Sequence, residues 1–430
     1  MSESNLKKAD PIVFEILQNE KKRQKSGLEL IASENFTSPA VLEVLGSEFT
    51  NKYSEGLPNK RYYGGNNFID ELELLTQKRA LNAFDLHPDT WGVNVQAYSG
   101  SIANLAAMNA VLVKGDRFMG MDLSCGGHLS HGFKMNISSS FYESLSYDTD
   151  NNGIINYSEL EFLASKFKPK LIIAGASAYP RDISYQKIKE IAGNVGAVLM
   201  CDIAHTAGLI ASKLLNNPFE FADIVTTTTH KSLRGPRGAM IFYRKSLENK
   251  INFSVFPCIQ GGPHNNNIAG ICVQMAEVSS PEFKEYSKQV IKNCKVLCDT
   301  LTSFGYEIIT GGSDNHLLLW KLKGISGSKV EFLFDLCGLT VNKNMVSGDK
   351  SALSPSGIRI GTPALTTRGF IETDFIVVAH FLKNALELAM EIQCNCSSKL
   401  LVDFKKKCED YKLEINKLKK DIENFSLTFK

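Results

Sequence analysis

The chain has 430 residues, a net charge of +2 and 43% hydrophobic residues, which suits a globular protein of two or three domains with large buried cores. This charge balance gives no indication of a nucleic acid or a membrane surface as partner, and no apolar run is long enough to span a bilayer. The ten cysteines lack paired metal-ligand spacing, and residues 1–10 resemble neither a signal nor a transit peptide. We therefore expect a cytoplasmic protein with reduced thiols and no bound metal.

Helical and strand patterns alternate from about Leu72 to Tyr243. This alternation predicts an α/β fold with a mostly parallel sheet and helices on its faces. The predicted strands lie near residues 93–95 and at 170–174, 197–200 and 224–227, and the predicted helices cover 101–113 and 187–194.

The pattern of predicted helices and strands changes after about Pro281. A predicted helix that contains Val290, Leu297 and Leu301 is followed by short strands at 306–309 and 317–320. These patterns predict a smaller α+β domain. The predicted boundaries are an N-terminal helical arm at 1–45, a large α/β domain at 46–281 and a small C-terminal domain at 282–430.

The C-terminal segment has apolar residues at alternating steps of four and three, which predicts an amphipathic helix with a heptad-like seam. The seam consists of Phe404, Cys408, Tyr411, Ile415, Leu418, Ile422 and Phe425. A coiled-coil dimer is one interpretation. Because the seam covers only about three heptads, a terminal helix that lies over its own small domain is favoured over the coiled coil.

Lys231 follows an apolar strand and four threonines, Thr226 to Thr229. This places the lysine at the carboxyl end of a buried strand, the edge at which open α/β sheets bind ligands. A lysine removed from water has a lowered pKa and can form a Schiff base with a cofactor aldehyde. The alternative is a surface lysine after an edge strand.

Asp202 ends another buried strand and needs a partner there. A protonated pyridine nitrogen would serve, and an N-cap or a salt bridge are the alternatives. The stretch Ser99-Gly100-Ser101 opens a predicted helix, whose free backbone N–H groups suit a phosphate. It is also an ordinary helix cap.

Three further segments carry polar groups suited to a site. Residues 126–132 contain His128 and His131, where zinc is one interpretation. With no third ligand nearby, a ring-stacking histidine or loop packing fits better. Arg359 lies in a short strand, where a half-buried guanidinium needs the carboxylate of a substrate or a structural acid. The aromatic, glycine-flanked loop at 53–65 is typical of binding sites and also of plain turns.

Together these residues resemble the serine hydroxymethyltransferase family along nearly the whole chain. The matching stretches are residues 30–36, 51–56, 60–65, 126–132, 226–231, 261–264 and 359–367. The segments 261–264 and 342–344 are similar to those of eukaryotic members. The resemblance implies the aspartate-aminotransferase-like fold, fold type I, with a mostly parallel seven-stranded sheet.

The implied reaction converts L-serine and tetrahydrofolate to glycine and 5,10-methylenetetrahydrofolate, with pyridoxal 5'-phosphate as cofactor. A folate-independent enzyme on small amino acids, similar to threonine aldolase or an aminotransferase, is the alternative. A catalytically silent scaffold is disfavoured because Lys231, Asp202 and Arg359 are all present.

The resemblance also implies cofactor-binding residues. Lys231 would hold the cofactor covalently, Asp202 would pair with the pyridine nitrogen, and His128 would stack on the ring. The remaining implied cofactor contacts are His205 and Ser177 on the phenolic side, Gly100 and Ser101 at the phosphate, and Gly261, Gly262 and Tyr53 of a neighbouring subunit. For His230 and Thr228 two roles stay open: they either position the cofactor or only shape the turn that presents Lys231.

The substrates have implied residues as well. Ser33 and Arg359 would take the amino-acid carboxylate. Glu55 and Tyr63, with Tyr53, would reach over from the neighbouring subunit for proton transfer and substrate exchange. The implied pteridine contacts are Leu123, Gly127, Leu129 and Asn344. At least a dimer follows, and the resemblance leaves a tetramer open.

Overall fold

The computed structural model describes residues 4–346, 348–349 and 353–429. Ser347 stands where we expect a proline by resemblance to the family, and it lies outside the described residues. Across the described ranges, no helix is both long and apolar enough to cross a membrane.

A seven-stranded sheet forms the larger part of the structure. In chain order its strands are β1 (Trp91–Asn94), β2 (Arg117–Met121), β3 (Glu143–Tyr147), β4 (Leu171–Gly175), β5 (Val198–Asp202), β6 (Ile224–Thr228) and β7 (Ala239–Arg244). The spatial order is β1-β7-β6-β5-β4-β2-β3, and only β7 runs antiparallel to its neighbours. The predicted mostly parallel α/β sheet is confirmed.

Helices cover both faces of this sheet, because its central strands are apolar on both sides. In β4, Ile172 and Ala174 pack into one core, whereas Leu171 and Ile173 pack into another on the opposite face. The helices of this part are Asn67–Ala83, Gly100–Val111, Ile137–Phe141, Tyr157–Phe167, Tyr185–Val195, Ala207–Ala211, Glu248–Phe253 and Asn265–Val278.

A second, antiparallel sheet of four strands follows in the chain. Its strands are β8 (Glu307–Ile308), β9 (Leu317–Lys321), β10 (Asn342–Asn344) and β11 (Gly357–Gly361), in the order β8-β9-β11-β10. The predicted strand at 306–309 is shorter than expected. Its end turns over at Ile309–Gly311, where Thr310 and Gly311 have positive φ angles.

The second sheet packs against long helices and against the N-terminal segment. The helices outside the large sheet are Asn5–Ala9, Pro11–Ser26, Pro39–Leu45, Pro281–Ser303, Gly327–Cys337, Pro363–Thr367 and Glu372–Cys394. Leu28 and Leu30 are buried in the same core as the second sheet, and Leu28–Glu29 pairs in parallel with Leu339–Thr340. The predicted domain boundaries remain predictions.

The C-terminal segment lies over its own chain. It forms helices Leu401–Lys407 and Lys412–Ser426, joined by a turn of 3₁₀ helix at Cys408–Tyr411, so the single predicted helix is interrupted. Phe404, Cys408, Ile415 and Ile422 are buried in the core of the second sheet. The interpretation as a terminal helix over its own domain is confirmed.

We predict that Ile422→Ala lowers the free energy of unfolding by about 2–5 kcal/mol, because it leaves a cavity under a fully buried side chain. Leu413→Ala on the same helix is the control, since Leu413 is 83% exposed and its loss should cost less than about 0.5 kcal/mol. Thermal unfolding of both variants measures the difference. Equal midpoints would show that the terminal helix is not part of the core.

Candidate active site

The predicted site residues meet at the carboxyl ends of three neighbouring strands of the large sheet. Ser177 follows β4, Asp202 ends β5, and Lys231 comes three residues after β6. In parallel α/β sheets this edge is where ligands bind. Arg359 reaches the same place from β11 of the second sheet, since its Nη1 donates to the Ser177 carbonyl at 2.7 Å.

Lys231 is the candidate nucleophile of this cleft. Burial lowers its pKa to about 8, with Asp202 acting against the shift and Arg359 and Arg237 adding to it. Asn35 Nδ2 donates to the Lys231 carbonyl at 3.0 Å and fixes the turn that presents the side chain. Near neutral pH a sizeable fraction of the amine is therefore unprotonated and can attack a carbonyl.

Asp202 is the buried carboxylate of the cleft, with 10% of its side chain exposed. Its Oδ2 accepts from His131 Nε2 at 2.9 Å and from Asn104 Nδ2 at 2.7 Å. Its Oδ1 accepts from the Ala204 N–H at 3.0 Å. Burial alone would raise its pKa, but His131, His128 and Asn104 outweigh burial and hold the pKa of Asp202 well below its usual range.

His128 and His131 lie side by side on the loop after β2. The Ser130 N–H donates to His128 Nδ1 at 3.2 Å, and the His128 N–H donates to His131 Nδ1 at 3.3 Å. Because both Nδ1 atoms accept, the neutral tautomer of each ring carries its proton on Nε2. Burial lowers the pKa of His128 to about 4, so its ring is neutral.

The expectation that His128 and His131 have no third metal ligand nearby is wrong. The ligand atoms of His128, His131 and Asp202 lie within 4.8 Å of one another. The contact between His131 and Asp202 is a direct 2.9 Å hydrogen bond. The geometry favours a histidine–carboxylate pair.

Arg359 is a buried guanidinium with 8% exposure. Its partners are Asn342 Oδ1 at 3.0 Å, the Ser177 carbonyl at 2.7 Å and Ser33 Oγ at 3.5 Å. Burial lowers its pKa to about 10. In the part of the chain that the structure describes, no carboxylate forms an ion pair with it. A buried charge of this kind needs an anionic partner, which a ligand carboxylate would supply.

His205 lies next to β5 and contacts the second sheet. Its Nδ1 is 3.3 Å from Nε2 of His316, a fully buried residue just before β9. Burial, with the charges of Lys231 and Arg359, lowers the pKa of His205 well below its usual value. Burial also lowers the pKa of His316 to about 3, so two neutral imidazoles in contact join the two sheets.

Gly100 and Ser101 begin the helix Gly100–Val111, whose N-cap residue Ser99 makes no side-chain cap. The first backbone N–H groups of this helix are available to an anion. A Cβ on Gly100 would lie 2.6 Å from Thr228 Cγ2, so only glycine allows the helix to start this close to β6. The His230 ring is buried with no hydrogen-bond partner at Nδ1 among the described residues.

A second cluster contains Tyr53, Glu55, Tyr63 and the pair Gly261–Gly262. Tyr53 OH donates to Glu55 Oε1 at 3.1 Å, and the two tyrosine rings are 5.0 Å apart. Cβ atoms on the glycines would lie 3.2 Å from Glu55 Oε1 and 3.3 Å from the Tyr53 ring. Within the described residues, no hydrogen bond or ion pair joins this cluster to Lys231, Asp202 or Arg359 of the same chain.

The four residues implied in folate binding lie on two segments. Leu123, Gly127 and Leu129 follow β2, and Asn344 ends β10. A Cβ on Gly127 would lie 1.9 Å from the Met121 carbonyl, so the loop requires glycine there. A cavity of about 620 Å³ lies beside these residues and is lined by their neighbours Ser124, Cys125 and Met345.

Several polar residues of the cleft were not predicted from the sequence. They are Asn35, Asn104, His131 as a partner of Asp202, Thr226, His316 and Asn342. For Asn104 a signal did exist, since it is a polar residue among apolar ones on the buried side of its helix. For His316 and Asn342 the neighbouring sequence gives none, because their partners are distant in the chain.

The chain is similar in sequence to proteins of known function. A family model described as serine hydroxymethyltransferase matches residues 6–382. Serine hydroxymethyltransferase 4 of Arabidopsis thaliana is 51% identical and covers 99% of this chain and 95% of its own length. The Caenorhabditis elegans serine hydroxymethyltransferase is 50% identical, with coverages of 99% and 89%. The cytosolic enzyme of Oryctolagus cuniculus is 49% identical, with coverages of 99% and 93%.

We predict that an aldehyde and borohydride covalently label Lys231 of the cofactor-free protein. The labelling rate should rise with pH and be half-maximal near pH 8, because the neutral amine is the reactive form. Asp202→Asn should move this midpoint lower, because the Asp202 charge raises the pKa of Lys231. Peptide mapping by mass spectrometry at several pH values measures both. A midpoint near the ordinary lysine value of about 10.4 would contradict burial of the amine.

Proposed function

Because this chain belongs to the serine hydroxymethyltransferase family and interconverts serine and glycine in one-carbon metabolism, we propose that the cleft around Lys231, Asp202 and Arg359 is its active site. The observation that carries the proposal is the buried Arg359, which has no carboxylate partner among the described residues and whose charge acts on a lysine with a lowered pKa. Such a cleft is suited to an amino acid held by its carboxylate.

The family depends on pyridoxal phosphate, and the residues present fit this group. The aldehyde would meet Lys231, the pyridine nitrogen would meet the Asp202 carboxylate, and the phosphate would meet the start of the helix at Gly100 and Ser101. His128 would cover the ring, with His205 and Ser177 on its phenolic side. When bound, the cofactor supplies an electron sink for the charge left at Cα as the Cα–Cβ bond of serine breaks.

Asp202 keeps its negative charge, since its two oxygens accept three hydrogen bonds, from His131, Asn104 and the Ala204 N–H. A carboxylate held in this state stabilises a protonated pyridine nitrogen. Lys231 has an unprotonated fraction near neutral pH, as covalent binding of an aldehyde requires.

Arg359 and Ser33 bind and orient the substrate in this proposal. The guanidinium is held from behind by Asn342 and the Ser177 carbonyl, so its position is fixed before serine binds. Clamping the carboxylate would restrict the rotation about the Cα–N bond of the substrate and therefore select which bond to Cα is broken. The same clamp would serve both directions of the reaction.

The cluster of Tyr53, Glu55 and Tyr63 would act at the site of a second subunit, together with Gly261 and Gly262. In its own chain this cluster is exposed, with Tyr53 at 54% and Tyr63 at 48%. Tyr62 at 73% and Phe68 at 79% exposure lie close by in the sequence, and an exposed apolar surface of this kind supports an interface. Glu55 is then placed to hold or move a proton at the serine hydroxyl, and the smallest complete enzyme is a dimer.

Tetrahydrofolate would be the acceptor of the one-carbon unit, bound by Leu123, Gly127, Leu129 and Asn344. A folate-independent aldolase-like enzyme is not favoured, because the relatives at about half identity are serine hydroxymethyltransferases over nearly their full length. The relatives include a cytosolic and a chloroplastic enzyme. We place this one in the cytoplasm, by analogy with the relatives named as cytosolic, those of Oryctolagus cuniculus and Neurospora crassa.

Glycine and tetrahydrofolate together should produce an intense visible absorbance band in the purified, cofactor-loaded protein, and the protein should cleave serine only when folate is present. Lys231→Ala should give neither the band nor covalent trapping by borohydride. If glycine binds and folate never enhances the band, the folate assignment fails. Serine cleavage that is independent of folate would favour the aldolase-like alternative.

Mixing Lys231→Ala protein with Glu55→Ala protein should restore activity to about a quarter of the wild-type value, because half of the randomly formed dimers have one intact site out of two. Each variant alone should be nearly inactive. A mixture of Lys231→Ala and Asp202→Ala is the matched control and should stay inactive, since both residues belong to the same chain's part of the site. No recovery in verified heterodimers would contradict a shared site.

A further inference from the structure

Asn104 is a buried polar side chain within the helix that begins at Gly100. It is 1% exposed, and its helix neighbours Ala103, Ala106 and Ala107 are packed in the apolar core. A buried primary amide is stable only when both of its N–H groups and its carbonyl oxygen have partners. The partners of Asn104 connect it to two groups of the proposed active site.

One N–H of Asn104 Nδ2 donates to Asp202 Oδ2 at 2.7 Å. The amide oxygen accepts from Thr226 Oγ1 at 2.6 Å. The Asp202 carboxylate, which can only accept, therefore determines that the N–H end of the amide faces it, and the threonine hydroxyl donates to the other end. In the opposite orientation an oxygen would lie against the negatively charged Asp202, which is unfavourable in a buried site.

The second N–H of Asn104 Nδ2 donates to Ser130 Oγ at 2.8 Å. Because this oxygen accepts from Asn104, the Ser130 hydroxyl hydrogen is free to donate to His128 Nδ1, 2.8 Å away. The Ser130 N–H donates to the same nitrogen at 3.2 Å. Both donors keep Nδ1 of His128 unprotonated and its proton on Nε2.

We propose that Asn104 is a positioning residue for the reaction, which fixes the orientation of the Asp202 carboxylate through one N–H and the tautomer of His128 through the other. This inference rests on the proposed function, in which Asp202 meets the ring nitrogen and His128 covers the ring. One amide thus sets both groups against the same ring, although it touches neither substrate nor cofactor in this arrangement. Thr226 donates to the amide oxygen of Asn104, and Ser130 connects its second N–H to His128.

The network makes three variants informative. Asn104→Ala removes the contacts to both Asp202 and Ser130. Thr226→Val removes the hydroxyl that donates to the amide oxygen. Ser130→Ala removes the link to His128 and leaves the Asn104–Asp202 contact in place. Asn109→Ala on the same helix is the matched control, since Asn109 is exposed and donates to Ser254 and Cys258, away from the cleft.

The first measurement uses the cofactor-free protein. Histidine ring ¹⁵N spectra should show His128 as the Nε2–H tautomer in the wild type and in Asn109→Ala. In Asn104→Ala and Ser130→Ala the fraction of the Nδ1–H tautomer should rise, because the Ser130 N–H is then the one donor still fixed at Nδ1. The second measurement is the affinity for pyridoxal 5'-phosphate. Loss of a hydrogen bond to a charged group should weaken it roughly 10-fold or more in Asn104→Ala, and less than about threefold in Ser130→Ala, which keeps the bond to Asp202.

In the loaded enzyme, kcat should fall in Asn104→Ala while KM for serine stays within about twofold of wild type, because Arg359 and Ser33 are untouched. An unchanged His128 tautomer and unchanged cofactor affinity in Asn104→Ala, with only a lower thermal midpoint, would overturn the proposal in favour of a packing role. If that variant does not fold, Thr226→Val and Ser130→Ala decide, and no effect in either would overturn it.

Failure of the proposed function gives a different result. It would appear as wild-type protein that cleaves no serine with folate, whereas the tautomer measurement on cofactor-free protein does not depend on activity. The wild type could bind the cofactor without turning over serine, while Asn104→Ala still changes the tautomer of His128. This result would contradict the proposed reaction and support the proposed role of Asn104.

Discussion

Removing charged groups from water is costly, and the arrangement of this cleft follows from that cost. An aspartate, a lysine and an arginine of the cleft meet this cost in different ways. Asp202 receives hydrogen bonds from His131, Asn104 and Ala204. Lys231 loses part of its charge as its pKa falls to about 8. Arg359 stays charged, and its partners among the described residues, Asn342, Ser177 and Ser33, are neutral. Its need for an anion fits the carboxylate of an amino acid.

The cleft exists only where separate parts of the chain meet. Asp202 and Lys231 come from strand ends of the large sheet, Arg359 comes from the second sheet, and Ser33 comes from the N-terminal segment that packs on that second sheet. The bond from Arg359 to the Ser177 carbonyl and the contact of His205 with His316 join the two sheets at the site. A relative movement of the sheets would therefore change substrate binding and cofactor contacts together.

The long elements with strong patterns were predictable. The central strands are apolar along their whole length, so β4 and β6 were found within about a residue of their observed ends. The C-terminal pattern was also identified, although as one helix and not two. The turn at Ile309–Gly311 was not predicted. The side chains at 306–309 are typical of a strand, but positive φ angles at Thr310 and Gly311 end the strand early.

The sequence by itself determined the family, the cofactor chemistry it implies and the identity of Lys231, Asp202 and Arg359, because these residues lie in long motifs that keep their order along the chain. Only the tertiary structure decided which groups surround them. Asn104, Thr226, His131 and His316 became part of the site through contacts between segments up to 122 residues apart. Hydrogen bonds of buried polar groups depend on where strands and helices pack, and local sequence patterns do not specify that.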